Sequence, residues 1–162
     1  MLPYTVVGTI RGLEDEDSEQ HVLFQADDAV RRSFNTAWKL LDKIHTKATS
    51  AKDKKRAYLK AFEVLYSLTI FQIYNGDTDA IVLLDELKAC YDSLVKHSSA
   101  ENDEASELLV EILLSFISKP SLLFRKMVEQ VFTTFSSEIT GVGLQAMMKV
   151  ETPCPNALSC TN

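Results

Sequence analysis

Residues 103–117 read DEASELLVEILLSFI, and the fold class follows from this stretch. Ala105, Leu108, Leu109, Ile112, Leu113, Phe116 and Ile117 recur at steps of three and four, the interval that returns side chains to one face of a helix. Asp103 and Glu104 stand at its start, where the helix dipole favours carboxylates. Pro120 is then placed to open a fifth helix, at the position where a missing N–H costs nothing. Leu123, Met127, Val131, Phe132 and Phe135 form the expected face of that helix. A sixth is expected from Thr140, with Val142, Ala146, Met147 and Val150 inward and a first turn weakened by Gly141 and Gly143.

The same period runs back towards the N-terminus. A first helix is capped by Asp27 or Asp28 and carries Val30, Phe34, Ala37, Trp38, Leu41 and Ile44 on one face, with Lys43 and Lys47 near its end. A polar break over residues 48–52 precedes a second helix to about Tyr74. Its face of Tyr58, Ala61, Phe62, Leu65, Leu68 and Thr69 is widened by Leu59, Val64, Phe71 and Ile73, so it is apolar nearly all round and expected between neighbours. Asn75-Gly76 ends it, and Asp77 or Thr78 is positioned to cap a third helix with Ile81, Leu84, Leu87, Tyr91, Leu94 and Val95. Such short connections force antiparallel neighbours.

The expected class is therefore all-α, with about six helices in antiparallel pairs. The second and fourth helices begin 50 residues apart and the third and fifth 43 apart. Helix-pair repeats of the HEAT and armadillo type have periods of about 40–47 residues, so a HEAT/armadillo-like arrangement within a longer α-solenoid is expected, with a compact six-helix bundle as the alternative. Three regions are expected: a flexible acidic segment over 1–26, a helical-repeat domain over 27–150, and a disordered tail over 151–162. The first rests on the run Glu14, Asp15, Glu16, Asp17 and Glu19. The last helix shows no polar capping element of the kind solenoids need, as in a segment of a longer chain.

At 162 residues the chain is long enough to bury a real core. Its net charge of −6 argues against a generic nucleic-acid surface, which must be basic to neutralise phosphates. Cys90, Cys154 and Cys160 are too few and odd in number for a disulfide framework, which reads as an intracellular compartment, and Cys90 reads as a buried apolar residue. No apolar run reaches transmembrane length, and no membrane partner is expected.

Catalytic chemistry finds no foothold in the pattern. The acids at 14–19, Asp77, Asp79, Asp103 and Glu104 suit capping and solubility better than the paired metal sites of polymerases. His21, His45 and His97 are isolated, and no zinc spacing, phosphate-cradling loop or nucleophile elbow occurs. Trp38, Tyr58, Phe62, Phe116, Phe132 and Phe135 coincide with aliphatic stripes, which favours packing over base stacking. No catalytic residue, metal or cofactor is expected.

One cluster stands out. Lys52, Lys54, Lys55, Arg56 and Lys60 crowd the start of the second helix, where positive charge opposes the dipole at a cost of about a few tenths of a kcal/mol per residue. Two readings are open. The plainer is a solvated turn, paired with the acidic run at 14–19. The functional one is a contact with DNA or RNA phosphates, or part of a nuclear-import signal.

Residues 107–115 (ELLVEILLS), Ser118-Lys119-Pro120-Ser121-Leu122-Leu123, Arg125-Lys126 and residues 128–132 (VEQVF) resemble the DNA polymerase phi / Myb-binding protein 1A family, large nucleolar proteins of helical repeats. The likeness runs from about Leu83 to Gln145 and more loosely over 58–95, and the acidic run at 14–19 is similar to the family's interrepeat segments. It does not extend to residues 1–11, to Gly141 and Gly143, or beyond Val150. The resemblance implies a nuclear, nucleolar, non-catalytic scaffold segment of a longer parent chain, acting in rRNA transcription and ribosome biogenesis. The implied partners are proteins of nucleolar or transcription complexes and rDNA or pre-rRNA. The alternative is an independent intracellular helical adaptor bundle that binds a partner protein.

Overall fold

Helix α3, Asp53–Tyr74, is the axis on which the other helices pack. The computed structural model describes residues 2–16, 28–96 and 103–136, together with 139, 141 and 145. Among them lie six α-helices and no strand: α1 (Leu2–Glu16), α2 (Asp28–Ser50), α3, α4 (Asp79–Tyr91), α5 (Asp103–Ile117) and α6 (Leu122–Phe135). A π-helical turn, Asp92–Lys96, extends α4. The chain is thus all-α.

Thirteen of the 22 residues of α3 are buried, as its near-continuous apolar surface requires. It packs against α1, α2, α4 and α6, while α5 bridges α4 and α6. Ring contacts fix the directions. Phe34 meets Tyr74, Phe62 meets Tyr91, and Tyr58 and Phe71 meet Phe135 and Phe124 respectively. Helices α2, α4 and α6 therefore run antiparallel to α3. Tyr4 on His45 and Arg11 over Trp38 set α1 antiparallel to α2. Two polar residues caught inside α3 are satisfied along it: Ser67 Oγ donates to the Glu63 carbonyl at 2.7 Å and Thr69 Oγ1 to that of Leu65 at 2.9 Å.

Helix α1 departs from the expectation of a flexible segment over 1–26. Val7 is 1% exposed and joins the common core, and Tyr4 packs beside it. The acidic run dominates the sequence of this region, whereas Val7 and the Tyr4 ring do the anchoring. Residues 17–26, the sixth helix expected from Thr140 (save Gly141 and Gln145) and the tail over 151–162 lie outside the described residues, so the observed six helices are not the expected six.

Several boundaries shift. The polar break expected over 48–52 narrows to Ala51–Lys52, because Ala48 is fully buried inside α2. Thr78 precedes α4 but its side chain makes no cap bond, and the Asp77 carboxylate takes the Lys119 ammonium at 2.5 Å, tying the α3–α4 turn to the α5–α6 turn. Gly76 ends α3 at φ +82, the left-handed region that a side chain disfavours. Pro120 does not open α6. Ser121 caps it, its extended backbone (φ −128, ψ 119) letting the hydroxyl accept from Phe124 N–H. The buried face is accordingly Phe124, Val128, Val131 and Phe135, while Leu123 is 60% exposed and Met127 and Phe132 are half-buried.

Candidate nucleic-acid interface

The α2–α3 turn gathers the basic cluster. Ala51 N–H still bonds back to the Lys47 carbonyl at 2.9 Å, Lys52 is extended (φ −117, ψ 155), and Asp53 enters α3 at φ +51. Asp is one of the few residues besides Gly that tolerates this left-handed step. The tight reversal puts Lys52, Lys54, Lys55 and Arg56 on one exposed end of the molecule, next to exposed Lys47 in the last turn of α2. Lys47 adjoins the turn, whereas sequence spacing presents it as a dipole partner only.

No ion pair engages Lys52, Lys55 or Arg56 among the described residues. The Lys54 ammonium sits over the Tyr58 ring, 5.2 Å from its centroid. Helix α1 passes His45 first and Trp38 later, so its C-terminal end travels away from the α2–α3 turn. Residues 17–19 lie outside the described residues.

Lys60 is set apart from the other four. Its ammonium donates to Glu63 Oε2 at 2.8 Å, and the same oxygen lies 3.2 Å from His45 Nδ1. Glu63 is 3% exposed, so its charge is balanced within a half-buried group and not by solvent. Tyr4 lies flat on His45, with centroids 3.9 Å apart, and its hydroxyl donates to Asp42 at 3.1 Å. Burial first, then that hydrogen bond, raises the Tyr4 pKa and keeps the phenol protonated. The Lys60–Glu63 half of this cluster is readable as an i,i+3 pair; its His45 and Tyr4 half needs the fold. The cluster fastens α1 to α2 and α3.

The other candidates resolve into structure. Trp38, Tyr58, Phe62, Phe116 and Phe135 are buried, and Phe62 meets two rings, each at 5.3 Å, so none of these is a platform for bases. Burial pushes the Cys90 thiol up to about 12, which fits a packed apolar residue and not a nucleophile. Asp79, Asp103 and Glu104 lie exposed in first helical turns. Among the described residues no group of three His, Cys, Asp or Glu side chains is disposed to hold a metal, and no helix is long and apolar enough to cross a membrane. Cys154, Cys160, His21 and His97 lie outside those residues.

Fold and surface together define an all-α module whose most distinctive exposed feature is a basic turn. The chain belongs to the DNA polymerase phi family, whose sequence profile matches residues 1–153. It is 34% identical over 142 residues to the rDNA transcriptional regulator pol5 of Schizosaccharomyces pombe, a match covering 85% of this chain and 15% of that protein. It is 25% identical over 128 residues to the Myb-binding protein 1A-like protein of Danio rerio (76% of this chain, 10% of the relative). It is 30% identical over 105 residues to Myb-binding protein 1A of Rattus norvegicus (59% and 8%). The chain thus spans a small part of the length of each. No solved structure matches.

Proposed function

We propose that this chain is a non-catalytic helical module of a nuclear, nucleolar regulator of rRNA transcription, and that its α2–α3 turn contacts the phosphates of rDNA or pre-rRNA. The carrying observation is the trio Lys52, Lys55 and Arg56, exposed at one turn with no ion-pair partner among the described residues. Such cations are held against the α3 dipole, and a phosphate backbone offsets that cost while releasing its own counterions. Lys47 extends the patch, and Lys60 supports it indirectly by fixing Glu63. The net charge of −6 confines the contact to this end, as suits a module that positions a nucleic acid without wrapping it. The regulatory setting is that of pol5, named a regulator of rDNA transcription, and protein partners in transcription complexes are suggested by the Myb-binding relatives. HEAT/armadillo-like stacking with further helix pairs of a longer chain belongs to the same proposal.

Fluorescence anisotropy with a labelled duplex and a labelled single-stranded RNA tests it. The variant K52E/K55E/R56E is expected to bind at least about tenfold more weakly at low salt than wild type. R125E/K126E, a reversal of exposed cations at the start of α6, serves as the control. Equal weakening by the two variants, or none by the first, contradicts the proposal.

A further inference from the structure

A groove of about 350 Å³ lies between the start of α4 and the end of α5, over the last turn of α3. Its apolar part is Ala80, Leu83 and Val82, and Val82 stands 63% exposed at the lip. Gln72 of α3 lines it at 5% exposure, and its side-chain Nε2 is buried with no hydrogen-bond partner among the described residues. A buried amide left unpaired costs about 1–3 kcal/mol, which the fold normally avoids. The unmet end of the amide is the donor. The rim is acidic. Asp79 and Glu86 border the groove, and the charge of Lys119, the cation in its lining, is already taken by Asp77.

We propose that this groove docks a basic, partly apolar peptide segment of a partner protein. An extended peptide main chain carries carbonyl acceptors for the Gln72 amide N–H. A Lys or Arg side chain on one side of the segment answers Asp79 and Glu86, and an apolar side chain covers Val82 and Leu83. The negative rim repels phosphate, so nucleic acid is not the occupant, and the proposal stands independently of the basic turn. Protein and nucleic acid would then occupy opposite ends of α3, since Gln72 lies near its C-terminus and Lys52 precedes its N-terminus.

The test uses the full chain and three capped, labelled peptides of roughly eight residues: alternating lysine and leucine, alternating glutamate and leucine, and alternating lysine and serine. The lysine–leucine peptide is expected to bind at least about tenfold more tightly than the other two. D79K/E86K and V82D should each weaken it by about tenfold, whereas D103K/E104K, a reversal of exposed acids at the start of α5, should not. Q72L should weaken binding while leaving the melting temperature equal or higher, because it removes an unsatisfied donor. Equal weakening by D79K/E86K and D103K/E104K would mean general attraction to an acidic protein and would overturn the proposal. So would preference for the glutamate–leucine peptide, or concentration-dependent self-association in ultracentrifugation that V82D abolishes, which would assign the groove to a second copy.

Discussion

At Cys90, burial raises the thiol from an ordinary 9.0 to about 12, because the thiolate would lose its hydration. The folded state therefore holds a proton that the unfolded state releases above pH 9. Stability is insensitive to this group below pH 9, then falls as pH rises towards 12, with a slope approaching about 1.4 kcal/mol per pH unit. Tyr66, raised by burial and next by Asp92, adds a fall of the same sign above its ordinary 10.0. Urea titrations at pH 8, 9 and 10 should show this decline in wild type and a shallower one in C90A. In a C154S/C160S background, native Cys90 should react with a thiol reagent at pH 8 at least about a thousandfold more slowly than the unfolded chain. Rapid native labelling would show that the site is open. The burial of Cys90 is legible from its place in the α4 stripe. The size of its shift is not, because it depends on how completely the neighbouring helices exclude water from the thiol.

Among the elements, α6 shows most clearly where pattern reading succeeds and fails. Its existence and approximate span follow from the 3.6-residue period, but its apolar residues spread over more than one face, and only packing selects which turns inward. Leu122 and Leu123 stand outside, while Phe124 and Val128 turn inward. F135A should therefore cost about 3–5 kcal/mol, since Phe135 is fully buried against Tyr58 and Phe62. L123A should stay within about 0.5 kcal/mol. Chemical denaturation of the pair checks the assignment, and a large cost at Leu123 would restore the other face. S121A should destabilise by about 1 kcal/mol through the cap, measured in the same way. Helix α3 poses no such difficulty, because a helix apolar on all sides has no face to misassign. Helix α1 escapes the pattern for the opposite reason: one buried valine and one stacked tyrosine are too few to form a stripe, and the tyrosine's partners Asp42 and His45 belong to α2.

For the whole molecule, the antiparallel order is legible from short connections, and the all-α class from composition and period. The site is legible in part. Five cations appear as one run, but only the fold separates Lys60, committed to Glu63, from Lys52, Lys55 and Arg56, which face solvent. Local spacing reports i,i+3 pairs; it does not report which end of a neighbouring helix a turn will meet. The two ends of α3 then differ in sign: basic residues crowd its start, while Asp79 and Glu86 rim the groove near its finish. That division underlies the proposal of a module that holds nucleic acid at one end and protein at the other. Its most direct test is the salt dependence of DNA affinity. For wild type, the logarithm of the association constant should fall linearly with the logarithm of salt concentration. The slope of K52E/K55E/R56E should be shallower by about 0.9 for each phosphate no longer neutralised, or roughly 2.7 for three. An unchanged slope would contradict the assignment of these residues to the phosphate backbone.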